Sequence, residues 1–262
     1  MTFFFLIYPL IGLIGGFLAG LLGIGGGLII VPALMFVFPY QGIPAAVISH
    51  TAVATSLATV IVTSLAATYA HHRHSAVEWP IFWKMAPGLL AGACAGALIA
   101  VGLPGGIIRT FFGLFAMFVA IQMGFNLQPR PQKQLPSAPG LATIGAFIGM
   151  ISAVVGVGGG TLTVPFLRWC NVLIQRAVAT SSACGFPIAI GGSLGFTLME
   201  MTAGQTTGVS VGIYWPAALW IGAASVAVAP LGAKFTHGIS TVLLTRVFAL
   251  VLAVIGLRLV WF

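Results

Sequence analysis

Apolar stretches separated by short polar loops run along the whole chain. Most of them approach the roughly 20 helical residues that cross a hydrocarbon core about 30 Å thick. Those before the longest polar stretch cover residues 3–22, 28–38, 44–70, 79–101 and 104–125, and those after it cover 140–155, 161–170, 177–199, 209–235 and 239–262. The pattern predicts membrane-spanning α-helices, with roughly eight to ten crossings in all.

The polar stretch between the two sets is residues 126–139, NLQPRPQKQLPSAP. It contains four prolines, which have no N–H donor and tend to end helices. We therefore expect a first transmembrane repeat over residues 1–125, a linker over 126–139, and a second transmembrane repeat over 140–262.

A shared motif indicates that the second set of segments is a copy of the first. Residues 16–34 read GFLAGLLGIGGGLIIVPAL and residues 149–167 read GMISAVVGVGGGTLTVPFL, with 8 of 19 positions identical. Self-similarity at corresponding places is typical of an internal duplication. Two shorter motifs recur downstream in the same order: VATS at 53–56 and 178–181, and Trp-Pro at 79–80 and 215–216.

The charge content excludes a water-soluble protein. Charged residues, ten Lys and Arg and two Asp and Glu, make up 5% of the 262 residues, whereas a soluble domain has about 25%. Hydrophobic residues reach 60%, and the mean hydropathy is +1.15. The net charge of +8 is spread singly between apolar stretches, which argues against a nucleic-acid partner. A soluble enzyme and a disordered tail are excluded as well, and the lipid bilayer is the expected partner.

The positions of the cations predict how the two halves are oriented, because cytoplasmic loops collect Lys and Arg. Loop 71–78 contains Arg73 and loop 168–176 contains two arginines, whereas their counterparts, 201–208 and 38–44, contain no Lys or Arg. With the basic loops inside, equivalent loops lie on opposite faces, and an odd number of segments per half gives the same inversion. The predicted fold is an all-α polytopic membrane protein of two inverted-topology repeats. Each repeat has about five hydrophobic segments with Gly-broken helices or re-entrant hairpins, and both termini are expected outside.

Two glycine-rich breaks, GIGGG at 23–27 and GVGGG at 156–160, form the candidate binding site. Glycine is a poor helix former by about 1 kcal/mol relative to alanine, and a broken helix in lipid persists only where it faces protein or a water-filled cavity. The short segment after each break begins with free N–H groups and a positive dipole end, which favours anions. The alternative is close helix packing through small residues. The predicted anion ligands are the backbones of Gly25, Gly26, Gly27, Gly158, Gly159 and Gly160.

Two Thr-Ser pairs downstream of the breaks are candidate hydroxyl ligands. Thr55 and Ser56 correspond in the repeat to Thr180 and Ser181. Hydroxyl groups donate hydrogen bonds to an anion without placing a permanent charge in the membrane. Alternatively, each hydroxyl bonds to a carbonyl of its own helix, as Ser and Thr often do.

Three ionisable residues are candidates for a role in the pathway or in coupling. His50, in a charge-free stretch, is a proton relay or a satisfied interior histidine. Glu200 is a coupling acid or an interfacial residue, and Arg176 attracts anions from the cytoplasm or anchors its helix. The HHxH tract at 71–74 is the one metal-like pattern, and the three cysteines form no CxxC. We expect no metal site and no cofactor.

The doubled motif GxGGGxxxVPxL, followed each time by Ala-Thr-Ser, resembles the TauE/SafE family of membrane anion exporters. The resemblance covers nearly the whole chain and implies export of sulfite or of a small organosulfonate, such as sulfoacetate, across a bacterial inner membrane. One departure is PAAVISH at 44–50, a longer and more polar approach to the first Thr-Ser pair than in the second half. The matching positions are Gly23, Gly25, Gly26, Gly27, Val31, Pro32, Leu34, Ala54, Thr55 and Ser56, then Gly156, Gly158, Gly159, Gly160, Val164, Pro165, Leu167, Ala179, Thr180 and Ser181.

These features predict a secondary transporter, not an enzyme, that exports a small anion by alternating access at a site between the two breaks. The alternatives are an anion channel and a transporter of another small solute, with a metal ion least favoured because the chain has two acids. An enzyme would need a nucleophile and a base that face each other, and Ser49 and His50 are adjacent residues that do not do so on a helix. The sequence leaves the oligomeric state open, with a homodimer as one option.

Overall fold

The computed structural model describes residues 2–23, 26–125, 127, 132–207, 212–235 and 241–261. This part of the chain forms ten α-helices and one 3-10 helix, and it contains no strand. The first half has α1 Thr2–Leu22, α2 Gly27–Val37, the 3-10 helix Phe38–Gln41, α3 Ile48–His72, α4 Trp79–Val101 and α5 Gly105–Gly124. The second half has α6 Ala138–Val155, α7 Gly160–Trp169, α8 Ile174–Thr207, α9 Trp215–Phe235 and α10 Thr241–Trp261.

The protein is an all-α polytopic membrane protein, as predicted. Among the described residues, six helices are long and apolar enough to cross a membrane: α3, α4, α5, α6, α8 and α9. Helices α1 and α10 have 21 residues each. Helices α2 and α7 have 11 and 10 residues, which at 1.5 Å per residue span about half of the hydrocarbon core.

The largest differences from the predicted segments are at the end of α8 and at the start of α9. Helix α8 has 34 residues, whereas the apolar pattern predicted 177–199, because helical hydrogen bonding continues past the apolar run into residues 201–207. Helix α9 begins at Trp215 and not at 209. Its second residue is Pro216, and the first turn is where the missing N–H of proline costs nothing.

Left-handed glycines end and restart the helices at both breaks. Gly23 and Gly156 have φ angles of 69° and 78°, and Gly26 and Gly159 have φ angles of 73° and 76°. Only glycine adopts this region without a steric cost. The N–H of Gly156 bonds to the carbonyl of Ser152 at the end of α6. Helices α2 and α7 begin directly after Gly26 and Gly159, so the glycine runs place both breaks where the sequence predicted them.

Each short helix folds back toward the start of the long helix before it. The amide of Gln41, beyond α2, donates a hydrogen bond to the hydroxyl of Tyr8, near the start of α1. In the second half, the carbonyl of Trp169 at the end of α7 accepts hydrogen bonds of 3.1 Å from the N–H groups of Gln132 and Lys133, ahead of α6. Both pairs are therefore re-entrant hairpins that return the chain to the side from which it came.

Glycine contacts hold the first helix of each half against the fourth helix of the other half. A Cβ at any of four glycines would lie 1.9 to 2.5 Å from the backbone of the partner helix, and small residues are what allow membrane helices to approach this closely. Residue numbers rise together along both pairs, so α1 is parallel to α9 and α4 is parallel to α6. The contacts are Gly12 with Ile221, Gly16 with Ser225, Gly88 with Ala142 and Gly92 with Ala146.

The third helices of the two halves run antiparallel to each other, and so do the fifth helices. Residue numbers rise on one helix of each pair as they fall on the other. Corresponding helices of inverted repeats that meet at a common two-fold axis must run in opposite directions, so this packing supports the predicted inversion. The contacts are Leu57 with Gly192 and Ser64 with Gly185 between α3 and α8, and Gly113 with Gly256 and Gly124 with Ala249 between α5 and α10.

Gly92→Ala should destabilise the protein, because the new Cβ would lie 2.0 Å from a carbonyl oxygen of α6 and overpacking costs about 1–3 kcal/mol. Gly106→Ala is the matched control, since nothing lies within 4 Å of a Cβ at that helical position and alanine favours a helix. Thermal unfolding in detergent measures both variants. Equal midpoints would contradict the close packing of α4 on α6.

Candidate functional site

The two glycine breaks touch each other inside the fold. A Cβ at Gly27 would lie 2.3 Å from the carbonyl oxygen of Gly156. The carbonyl oxygen of Gly158 packs against α8, where a Cβ at Gly185 would lie 3.1 Å away. The structure thus brings together the two motifs that the sequence predicted as one site. Gly25, another predicted ligand, lies outside the described residues.

The two serines of the Thr-Ser pairs tie each break to the other half. The hydroxyl of Ser56 donates a 2.8 Å hydrogen bond to the carbonyl of Gly156. The hydroxyl of Ser181 lies 2.8 Å from the carbonyl of Val178 in its own helix and 3.3 Å from the carbonyl of Gly23, so these two acceptors share its one proton. Both serines are fully buried. Their protons therefore satisfy backbone carbonyls at the breaks, including carbonyls that have lost their helical partners.

The two threonines hold the starts of helices from the opposite half. The hydroxyl oxygen of Thr55 accepts a 2.9 Å hydrogen bond from the N–H of Tyr214, just before α9. The hydroxyl oxygen of Thr180 accepts one of the same length from the N–H of Glu78, just before α4. Because a hydroxyl has one proton besides its lone pairs, both threonines retain an O–H donor in this arrangement.

The starts of α2 and α7 offer backbone donors at the place where the breaks meet. The carbonyls of Gly26 and Gly159 accept the first hydrogen bonds of the two helices. The N–H groups of Gly27 and Gly160 precede these bonds and have no partner within their own helices. No side chain caps either helix start. Together with the helix dipoles, these N–H groups form an environment suited to an anion.

Three further hydroxyl residues, which are not among the predicted ligands, lie at the second break. Ser152, Thr161 and Thr163 are buried, and the hydroxyl oxygens of the two threonines have no hydrogen-bond partner within the described residues. A comparison of the two copies of the motif could have found them, because these three hydroxyl residues replace apolar residues of the first copy: Ala19, Leu28 and Ile30.

The structure does not place His50 or Glu200 among these residues. The Nε2 of His50 lies 3.0 Å from the carbonyl oxygen of Leu103 and donates to it, which joins the start of α3 to the turn between α4 and α5. The carboxylate of Glu200 lies against Gly212, where a Cβ would be 2.0 Å from Oε2. Both contacts connect helix ends and loops. They fit a satisfied interior histidine and an interfacial glutamate better than residues that act at the breaks.

Arg176 lies at a cavity next to the second Thr-Ser pair. Its guanidinium forms an ion pair with the carboxylate of Glu78, and the N–H of the same glutamate bonds to Thr180. The cavity has a volume of about 380 Å³, and its lining also includes Lys84 and Asn171. An ion pair and a further cation therefore mark this mouth of the protein, which we call the Arg176 mouth.

The corresponding place beside the first Thr-Ser pair is aromatic. Tyr214, which bonds to Thr55, packs edge-on against Phe38 with ring centroids 5.5 Å apart. The ring of Tyr8 lies 6.4 Å from that of Tyr214, and its hydroxyl accepts the hydrogen bond from Gln41. We call this cluster the Tyr214 mouth. The two corresponding places thus have different kinds of contact, an ion pair at one and an aromatic cluster at the other.

Sequence comparisons match nearly the whole chain. A family described as Sulfite exporter TauE/SafE matches residues 8–259. A probable membrane transporter protein of Haemophilus influenzae is 33% identical over 261 residues, which cover 98% of each chain. One of Methanocaldococcus jannaschii is 30% identical over 263 residues, covering 97% of this chain and 96% of the relative. The probable membrane transporter protein YunE of Bacillus subtilis is 26% identical over 278 residues, covering 98% and 97%. No solved structure matches the chain.

Ser56→Ala should lower the midpoint of thermal unfolding in detergent, because a buried carbonyl left without a partner costs about 1–3 kcal/mol. Ser64→Ala is the matched control on the same helix, since the hydroxyl of Ser64 donates to the carbonyl of Ile61 in its own helix, which keeps its helical hydrogen bond. If Ser64→Ala lowered the midpoint of thermal unfolding as much as Ser56→Ala, the hydrogen bond of Ser56 would not be what stabilises the break.

Proposed function

The chain belongs to the sulfite exporter TauE/SafE family, and we propose that it is a secondary transporter that exports a small sulfur oxyanion. Sulfite and an organosulfonate such as sulfoacetate are the proposed substrates. The relatives are named probable membrane transporter proteins, and a multi-pass protein of a bacterial inner membrane fits the family. The observation that carries the proposal is the contact between two glycine breaks, each of which opens a short helix with free N–H donors.

The anion binds where the breaks meet. Its donors are the N–H groups at the starts of α2 and α7 and the O–H groups of Thr55 and Thr180. Ser56 and Ser181 are positioning residues, because their protons are engaged by backbone carbonyls. Residues 1–72 and 134–167 contain no Asp, Glu, Lys or Arg, so helices α1, α2, α3, α6 and most of α7 surround the site without formal charge.

Alternating access follows from two inverted halves that expose this place first to one side and then to the other. The antiparallel packing of α3 with α8 and of α5 with α10 supports the inversion. The different closures of the two mouths support separate opening, since an ion pair and an aromatic cluster respond to different ligands and conditions. Inverted repeats with broken helices at their interface are a common design of secondary transporters.

The membrane potential is a sufficient driving force for export. An interior-negative membrane expels a monovalent anion with about 2.3 kcal/mol per 100 mV. A proton-coupled mechanism would need titratable groups at the site, and none of the donors named above titrates near neutral pH. Export by this route therefore requires no coupling ion.

Purified protein in liposomes should carry sulfite or sulfoacetate at a rate that saturates with concentration and rises with an imposed potential, because a carrier has one site that must reorient. Anion release from the liposomes, with protein-free liposomes as the control, measures this. Flux that rises linearly without saturation would indicate an anion channel, and the absence of flux for every sulfur oxyanion would contradict the proposal.

The Arg176 mouth should control capture of the anion from its side. Glu78→Gln frees the guanidinium and keeps the N–H bond to Thr180, so we expect a lower KM, whereas Arg176→Gln removes the cation and should raise it. Both effects should shrink at high salt, because the side chains of Arg176 and Glu78 are 53% and 28% exposed and such charges are screened.

Arg73→Gln is the matched control, since it removes an exposed cation from the nearby loop 71–78 without touching the pair. Initial rates of flux in liposomes, measured over a range of anion concentrations, give the KM values. A shift for Arg73→Gln as large as that for Arg176→Gln would mean that the overall charge of this face matters and the ion pair does not.

A further inference from the structure

The two copies of the glycine motif differ in polarity at three positions. Among the 19 aligned residues, a hydroxyl side chain replaces an apolar one only in the second copy, as the substitutions in chain order show: Ser152 for Ala19, Thr161 for Leu28 and Thr163 for Ile30. The remaining differences exchange one apolar residue, or glycine, for another. The glycine backbone of the site therefore repeats in both halves, but the polarity of the side chains around it does not.

Two of the three hydroxyl side chains, those of Ser152 and Thr163, lie beside the residue that precedes α7, together with the side chain of Ile188. Gly159 precedes this helix as its N-cap, and a Cβ placed on it would lie 3.6 Å from both the hydroxyl oxygen of Ser152 and that of Thr163. Thr161 is the second residue of α7, where the N–H groups have no helical partner. Two sets of neutral donors, hydroxyl and backbone, thus occur together at one helix start.

The hydroxyls of Thr161 and Thr163 are buried and have no hydrogen-bond partner among the described residues. Thr161 is 6% exposed and Thr163 is 0% exposed. Buried polar groups are nearly always paired, so each of these two unpartnered hydroxyls, in the first turns of α7 beside its free N–H groups, is a candidate donor to a ligand. At the first break the equivalent Leu28 and Ile30 are buried apolar residues and have no donor to give.

We infer that the transported anion binds asymmetrically, at the second break, to the hydroxyls of Thr161 and Thr163, with Ser152 beside them, and to the N–H groups at the start of α7. We further infer that the site prefers an anion with a single charge. The side chains of Leu28 and Ile30 at the first break then form an apolar wall, and the N–H groups at the start of α2 remain the donors from that side. This inference rests on the proposed anion transport. It adds which break supplies the side-chain donors and which charge of anion the site prefers.

The preference for a monoanion follows from the distance between the formal charges and the hydroxyls of the second break. On α7 itself the nearest cation is Arg168, in the last turn, which lies 5 residues or about 7.5 Å along the axis after Thr163. The nearest charged residues on the adjacent α8 are Arg176 and Glu200, which lie 9 residues before and 15 residues after Gly185, the contact of Gly158. At 1.5 Å per residue these separations are about 13 and 22 Å along the axis. The desolvation cost of an ion rises with the square of its charge, so a dianion would lose about four times as much hydration energy as a monoanion of its size. Neutral donors compensate one charge better than two.

The inference narrows the proposed substrates. Methanesulfonate and the hydrogensulfite form of sulfite carry one charge, whereas sulfate and fully ionised sulfoacetate carry two. All of them present several oxygen acceptors on one sulfur atom, so charge and not geometry separates the two groups. We therefore expect wild-type protein in liposomes to carry methanesulfonate with a KM at least about tenfold lower than that for sulfate, which corresponds to about 1.4 kcal/mol.

The test is the double variant Thr161→Val/Thr163→Val, assayed for methanesulfonate flux in liposomes. The KM should rise at least about tenfold, because both hydroxyl donors to the charge are lost. Thr161→Ser/Thr163→Ser keeps the hydroxyls and should stay within about threefold of wild type. Thr63→Val is the matched control for a buried threonine, since the hydroxyl of Thr63 donates to the carbonyl of Thr59 in its own helix, and its KM should stay near that of wild type.

Thermal unfolding without added anion separates a ligand site from a structural one. If the hydroxyls wait for a ligand, Thr161→Val/Thr163→Val should unfold at or above the wild-type midpoint, because it removes unpaired buried groups. A midpoint lower than that of Thr63→Val would overturn the inference, since it would mean that the hydroxyls have partners in the protein.

The flux results distinguish failure of the inference from failure of the proposed function. An unchanged KM in the valine variant, with normal wild-type transport, would overturn the asymmetric site alone. Equal KM values for methanesulfonate and sulfate would overturn the charge preference alone. No flux of either anion through the wild-type protein would contradict the proposed function and the inference together.

Discussion

A backbone polar group inside a membrane must find its partner within the protein, and the centre of this fold depends on how the two glycine breaks meet that constraint. A helix that stops within the bilayer leaves carbonyls behind it and N–H groups ahead of it. Ser181 and Ser56 satisfy the carbonyls of Gly23 and Gly156, each from the opposite half. The N–H groups at the starts of α2 and α7 receive no side-chain cap. Each break therefore has uncapped N–H donors beside a carbonyl that already accepts a hydrogen bond from a serine, and that imbalance supports the proposal of an anion over a cation.

The same hydrogen bonds make the two halves mechanically dependent on each other. Thr55 and Thr180 hold the backbones of Tyr214 and Glu78 at the starts of α9 and α4, and those helices in turn pack through glycines against α1 and α6. Under the proposed mechanism, a movement that separates Thr180 from Glu78 would open the Arg176 mouth and would leave the bond between Thr55 and Tyr214 intact. Since the two bonds lie in different contacts between the halves, one can break while the other persists, which is what alternating access demands.

The sequence predicts the helices and the breaks because both follow from local chemistry. Apolar length predicts a span, and a run of glycines interrupts it wherever it occurs. The length of α8 escapes prediction because a helix continues into polar residues such as those at 201–207 once its hydrogen bonds are established. The roles of Ser56 and Thr55 also escape it: they are neighbours of the same kind, yet one donates to a carbonyl and the other accepts from an N–H. That difference depends on which backbone group of the other half lies opposite each hydroxyl, and the local sequence does not predict this.

The separation of charge from the breaks has a kinetic consequence for a transporter. A cation at the breaks would bind the anion strongly in a low dielectric, where a charge pair is weakly screened, and transport requires binding that is favourable enough for capture and weak enough for release. Arg176 and Lys84 lie instead at a solvent-accessible cavity, where a field acts over distance to raise the rate of encounter. In the proposed site, neutral hydroxyl and N–H donors at the breaks would then hold the ion after its shell of water is lost. Under the proposed function, dividing the two tasks would let the protein attract an anion without trapping it. It would also account for the position of the ten Lys and Arg residues, none of which lies in residues 1–72 or 134–167.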